Sequence, residues 1–209
     1  MARRPIIVPL IILLNVVVFL SWHMGGERQE EYMVNNFLVS WTGLLQGRWW
    51  TLWTSVFSHN MFLHIFINMF VLNSFGSLLE QLLGRWRFIV FYMYAGAVSS
   101  LCHCLVSAFV LHTPDLPALG ASGAIAGLVL VFALIFPREK ILLFAILPLP
   151  AIWGALAFVG LDLWGLFEQT KGGGLPIGHG AHLGGALAGV LYFVFYLRRH
   201  VRRRRPELQ

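Results

Sequence analysis

Apolar runs long enough to cross a bilayer recur along this sequence, and charged residues are confined to the short stretches between them. A spanning helix needs roughly 20 apolar residues at about 1.5 Å rise per residue. Six runs meet or approach that length, over 6–22, 60–83, 88–110, 120–136, 141–167 and 178–197. Charged residues make up only 11% of the 209, whereas a soluble domain carries roughly a quarter. The pattern implies an all-α, polytopic membrane protein: one domain over residues 1–209, six transmembrane helices, and a basic tail over 198–209.

Residues 23–58 could hold a seventh span through Phe37 to Phe57. Its tryptophans (Trp41, Trp49, Trp50 and Trp53) and the mid-segment Arg48 instead suit a loop lying in the membrane interface. Six spans put both termini on one side. Twelve of the fifteen Lys and Arg then fall on that side: Arg3, Arg4, Arg85, Arg87, Arg138, Lys140 and six in the tail. Arg28, Arg48 and Lys171 fall on the other. The bias sets the orientation, with both termini cytoplasmic, and leads to the expectation of a cell inner or plasma membrane. The net charge of +6 gathers next to apolar runs, so it points to anionic lipid and not to nucleic acid. The first run lacks a small-residue cleavage site and is followed by further spans, so no cleavable secretory signal is expected. Cys102 and Cys104 lie two apart on a helix, point to different faces and read as buried thiols. Pro148 and Pro150 are expected to bend or loosen the fifth span.

Polar residues inside a bilayer are costly and are candidates for function. His64 and Asn68 are four apart and share one helix face. Counted from Asn60, they lie about 6 and 12 Å below the outer boundary, and His182 lies about 6 Å down the last span. The fourth span from Ser122 is only about 22 Å long against a core of about 30 Å, which sets Ser122 about 8 Å below the same surface. These four groups share one layer, and the loop before Ser122 must dip into the membrane under protein cover or into water. That is what hydrolysis inside a membrane requires. Histidine can take a serine proton and return it to a leaving amine, while an amide, a second imidazole and helix-start N–H groups stabilise an oxyanion. Gly120 and Gly123 permit close approach of a substrate backbone and of neighbouring helices.

Blander readings compete. Ser122 within Gly120-Ala-Ser-Gly123 reads, taken alone, more readily as helix packing, as do Gly127 and the Gly185/Gly189 pair. His179 and His182, three apart, could instead bind a metal or haem; with His59 and His64 they give a rival class, and His64 and His182 lie at the matched depth that paired haem ligands need. Glu80 and Asp162 lie near span ends, where they would snorkel or cap. Asn15 reads as a helix contact, and His103 as a satisfied polar group.

Three stretches together resemble the rhomboid intramembrane serine proteases: His59-Asn-Met-Phe-Leu-His64-Ile-Phe-Ile-Asn68, Gly120-Ala-Ser122-Gly123 and Ala181-His182-Leu-Gly-Gly185. Arg48 beside Trp49 is similar to a Trp/Arg feature of that family's membrane-embedded first loop, in inverted order. The resemblance runs from about Arg48 to Val194 and implies a six-helix rhomboid-like bundle. It also implies a Ser122 nucleophile and a His182 general base working without an aspartate. His64, Asn68 and the Ser122 backbone N–H would stabilise the oxyanion, and His59 would support the site. Residues from about Ile152 to Leu175 would gate substrate entry. No cofactor or metal is implied, and the partners would be transmembrane protein substrates and membrane lipid. A tyrosine that some members carry four residues after the serine is replaced here by Ala126, which leaves the holder of His182 unnamed. The alternatives are an inactive relative that binds transmembrane clients and, from another class, the haem or metal carrier.

Overall fold

The computed structural model describes residues 4–143 and 147–198. Arg3 and the basic tail from 199 onward lie outside the described residues. Among the described residues, nine α-helices follow in order: α1 Ile7–His23, α2 Glu27–Phe37, α3 Trp41–Leu45, α4 Thr51–Thr54, α5 Phe62–Leu83, α6 Arg85–Phe109, α7 Ser122–Ile135, α8 Ala151–Thr170 and α9 His179–Leu197. Two of them, α5 and α9, each contain a π-helical turn, over Leu72–Gly76 and Phe193–Leu197. Among the described residues, α5, α6, α8 and α9 are long and apolar enough to cross a membrane; α1 and α7 are apolar but shorter, with 17 and 14 residues.

The segment between α1 and α5 is broken into three short helices and a 3₁₀ turn over Ser55–Phe57. None of these could span a bilayer. Gly43, Gly47 and the polar ends interrupt what would otherwise be a continuous apolar run. Val39 exchanges two backbone hydrogen bonds with Ala118 (3.0 and 2.8 Å), and Gly120 N–H donates to the Ser55 carbonyl at 2.9 Å. The loop that leads into α7 therefore has protein on its backbone groups, which an irregular segment at membrane depth requires.

The fifth apolar run does not begin as a helix at 141. Lys140–Leu143 and Leu147–Pro150 form an antiparallel hairpin with Lys140 opposite Pro150, and α8 starts only at Ala151. The cause is local: each proline pushes the residue before it into extended backbone, so helix can start only after Pro150. The result is more than the bend expected from sequence. The helix then runs from Ala151 to Thr170, with Asp162 well inside it.

Glu80 caps α1 from the end of α5. Its carboxylate accepts from the backbone N–H groups of Ile6 (2.7 Å), Ile7 (3.0 Å) and Val8 (2.9 Å). Three donors that α1 cannot satisfy internally are thereby paired, and a negative charge sits at a helix N-terminus. Below this cap Val8, Ile11, Asn15 and Val18 form the buried stripe of α1. Asn15 is fully buried, and its side-chain N–H₂ donates within its own helix, to the Ile11 carbonyl.

The centre of the bundle is α7, packed between α6 and α9 with ten of its fourteen residues buried. Glycine sets the approach. A Cβ at Gly185 would collide with the Gly123 carbonyl, one at Gly189 would lie 2.6 Å from the Gly127 carbonyl oxygen, and one at Gly127 would lie 2.9 Å from that of Gly185. The two helices thus touch backbone to backbone, the close packing that small residues allow when no hydrophobic force drives helices together in lipid. Gly123 also faces Ser99 on α6, with no room for a side chain. Gly185→Ala should therefore lower the unfolding free energy in detergent by about 1–3 kcal/mol, as overpacking does. Gly160→Ala on α8, where a Cβ meets nothing within 4 Å, should leave it unchanged or slightly higher.

Candidate active site

Ser122 is the first residue of α7 and His182 lies in the first turn of α9. The glycine contact brings these two helix starts together, and a 2.9 Å hydrogen bond joins the Ser122 Oγ to His182 Nε2. Both side chains are half-buried, shielded but not sealed. At its start α7 exposes main-chain N–H groups that no intrahelical carbonyl can accept, because a helix leaves its first four donors unpaired. A serine hydroxyl, an imidazole able to take its proton, and free helix-start donors therefore occupy one place.

His182 is held from α8. Its Nδ1–H donates to Asp162 Oδ1 at 3.0 Å, and His179 Nδ1–H donates to the same oxygen at 2.7 Å. Phe158, one turn earlier on α8, lays its ring 5.4 Å from that of His182 at an angle of 32°. These are the groups that sequence reasoning missed. Asp162 neither snorkels nor caps: it is buried, at 4% exposure, and eight residues from the end of α8. A carboxylate set in an apolar run was the available signal, but the misplaced helix boundary put it near a span end. The position at Ala126 is buried in the bundle, and it is Phe158 that covers the imidazole.

His59, His64 and Asn68 converge from the other side. Asn68 Nδ2–H donates to His59 Nε2 at 2.9 Å, and the backbone N–H of Ala121 donates to the same nitrogen at 3.4 Å. His59 thereby ties α5 to the residue just before Ser122. An Nε2 that accepts requires the proton on Nδ1, which is buried and has no partner among the described residues. One N–H of the Asn68 amide remains for another acceptor. His64 meets His59 edge-on at 4.8 Å between centroids and lies over Gly120. There a Cβ would come 2.8 Å from its Cε1 and 3.0 Å from its Nε2.

Gly120 also has φ of +121°, in the region that side chains rarely adopt. Its space is taken by His64, and that of Gly123 by Ser99 and the Ala181 carbonyl. Gly120 therefore shapes the site, whereas Gly123 serves helix packing. Asn73 is exposed and takes no part. His103 Nε2–H donates to the Leu116 carbonyl, 3.1 Å away, as a satisfied core histidine does. Cys102 and Cys104 are free thiols. Among the described residues, the group with metal-ligand spacing is Asp162, His179 and His182, whose ligand atoms lie within 4.8 Å of one another. The His179/His182 pair of the metal or haem reading is thus brought together, around Asp162.

The chain is similar to known proteins over most of its length. The Rhomboid domain family matches residues 46–199. The chain is similar to RHOMBOID-like protein 12, mitochondrial, of Arabidopsis thaliana, at 31% identity over 89% of this chain and 56% of that protein. It is similar to Rhomboid protein 1, mitochondrial, of Saccharomyces cerevisiae, at 37% identity over 94% of this chain and 55% of that one. With Presenilin-associated rhomboid-like protein A, mitochondrial, of Danio rerio, the figures are 33%, 95% and 50%. The chain thus spans about half the length of the curated relatives it matches. All three carry a mitochondrial designation, which overturns the expectation of a cell inner or plasma membrane. The error has a physical cause: basic residues orient a protein across a membrane but do not say which membrane it is. From the geometry, Gly120→Ala should cost about 1–3 kcal/mol through backbone strain and displace His64. Melting in detergent checks this, and an unchanged midpoint would show that the position tolerates a side chain.

Proposed function

The chain belongs to the rhomboid family, and we propose on that footing that it is an intramembrane serine endopeptidase. It hydrolyses peptide bonds in or near transmembrane segments of other membrane proteins, close to the end opposite the basic turns. The observation that carries this reading is the 2.9 Å hydrogen bond between Ser122 Oγ and His182 Nε2 at the mouth of two packed helices. The setting is a mitochondrial membrane, as the names of the relatives suggest.

In the proposed mechanism His182 Nε2 takes the hydroxyl proton while Ser122 Oγ forms a bond to the scissile carbonyl carbon. The carbonyl oxygen becomes an oxyanion, stabilised by the Ser122 backbone N–H, the free N–H of Asn68 and His64. Collapse breaks the C–N bond, and the imidazolium returns its proton to the departing amine. A water molecule then adds to the acyl-serine, giving a proton to His182, and the second collapse expels Ser122 Oγ, which regains it. His59 contributes indirectly, by holding the Asn68 amide and the Ala121 N–H in register. A substrate helix must unwind before its carbonyl can be attacked, because every backbone group of a helix in lipid is paired. Segments with small or helix-weakening residues are therefore the better substrates.

The presence of Ser122, His182 and Asn68 together favours turnover over a client-binding relative that does not cut. Ser122→Ala should abolish cleavage of a dye-labelled single-span peptide in detergent micelles while leaving the melting point unchanged; cleavage by that variant at the wild-type rate would sink the assignment. Asn68→Ala should lower kcat by about 10²- to 10³-fold, the usual effect of losing one oxyanion donor. Steady-state kinetics on the same peptide decide this, and an unchanged kcat removes Asn68 from the role.

A further inference from the structure

The dyad expected from sequence leaves His182 without a holder, yet its second nitrogen is not free. We propose that Asp162 is a positioning residue for hydrolysis, fixing the tautomer and orientation of His182 and making them depend on α8 being docked against α9. This inference rests on the serine-hydrolase reading above.

The argument begins with proton placement. A carboxylate only accepts hydrogen bonds, so the contact from His182 Nδ1 to Asp162 Oδ1 at 3.0 Å puts the proton on Nδ1. His182 Nε2 is then bare and can accept from the Ser122 hydroxyl 2.9 Å away. The opposite tautomer would place a donor at Nε2 and leave an unpaired nitrogen facing a carboxylate. Asp162 is thus what makes His182 a base on the side facing the serine. When the imidazolium forms, the same carboxylate faces it across a short distance in a water-poor setting.

The carboxylate is itself held. His179 donates to the same oxygen at 2.7 Å, and its ring sits against Gly165, one turn along α8, where a Cβ would overlap Nε2. Two imidazole donors on one oxygen fix Asp162 Oδ1 between His179 and His182. Beyond Ala155, Asp162 is the one residue of α8 that is buried; Leu161, Leu163 and Trp164 around it are exposed. The outer half of α8 therefore meets α9 chiefly through this polar junction, with Phe158 against the His182 ring. When that half of the helix leans away, the base loses its holder. Readiness of the base and docking of α8 become one event.

Two measurements on the full chain test this. In wild-type protein with ¹⁵N-labelled histidine, the His182 ring should show a protonated Nδ1 and an unprotonated Nε2. The reverse tautomer overturns the inference without any variant. On the dye-labelled single-span peptide, Asp162→Asn should lower kcat by about 10²- to 10⁴-fold, as loss of the orienting carboxylate does in serine hydrolases, with KM and melting point within about twofold. A kcat equal to wild type overturns the inference. So does a loss of rate that only follows a lowered melting point or a raised KM, since a structural tether would act that way. Ser122→Ala is run alongside: if wild type shows no Ser122-dependent turnover, the hydrolase reading itself fails. Turnover that needs Ser122 but not Asp162 fails this inference alone.

Discussion

The close approach of α7 and α9 along their glycines is the constraint on which the rest of the structure depends. Ser122 and His182 are 60 residues apart in sequence, and each sits at the start of its helix. Two side chains as short as serine and histidine can share a hydrogen bond only if the helix axes come unusually near. Gly123 and Gly127 on one helix and Gly185 and Gly189 on the other provide that nearness, carbonyl against Cα. In lipid there is little hydrophobic gain from joining two apolar helices, so such contact is the main source of attraction. Packing and chemistry thus draw on the same stretches, with Gly123 next to Ser122 and Gly127, Gly185 and Gly189 about one to two turns below the groups they bring together.

Around that axis the polar groups are arranged in two arms. One arm comes from α5, where Asn68 and the backbone of Ala121 share His59. The other comes from α8, where two imidazoles share Asp162. In both, a single acceptor atom receives two donors, which fixes three groups with one. These bonds offset part of the burial cost that a lone polar residue would carry, while His59 Nδ1, Asp162 Oδ2 and His179 Nε2 stay without a partner among the described residues. The loop ahead of α7 is covered in the same spirit, by Val39 and the Ser55 carbonyl. α7 is short, with 14 residues, and the segment between α1 and α5 pairs with the loop ahead of it through Val39 and Ser55.

Much of this was legible in the sequence, and the reasons are physical. Hydropathy and basic turns are local signals, so the helical runs around residues 7–23, 62–83, 85–109, 122–135 and 179–197 could be read within a few residues. The spacing of His64 and Asn68, and the small residues flanking Ser122 and His182, carried the site, because helical period and depth can be counted along the chain. Asp162 could not be found that way. Its role depends on which residue of another helix it faces, and on a helix boundary that Pro148 and Pro150 moved to Ala151. The capping of α1 by Glu80, 72–74 residues away, is tertiary in the same sense. The membrane in which the chain resides leaves no mark in charge bias, and that expectation failed.

The central claim is that Ser122 is a nucleophile made reactive by His182. The most direct measurement is to treat the protein in lipid bilayers with a fluorophosphonate and locate the adduct by mass spectrometry of its peptides. The account predicts a single adduct, on Ser122, that is absent in His182→Ala at the same exposure. An adduct on another residue, or equal labelling of Ser122 without His182, would contradict it.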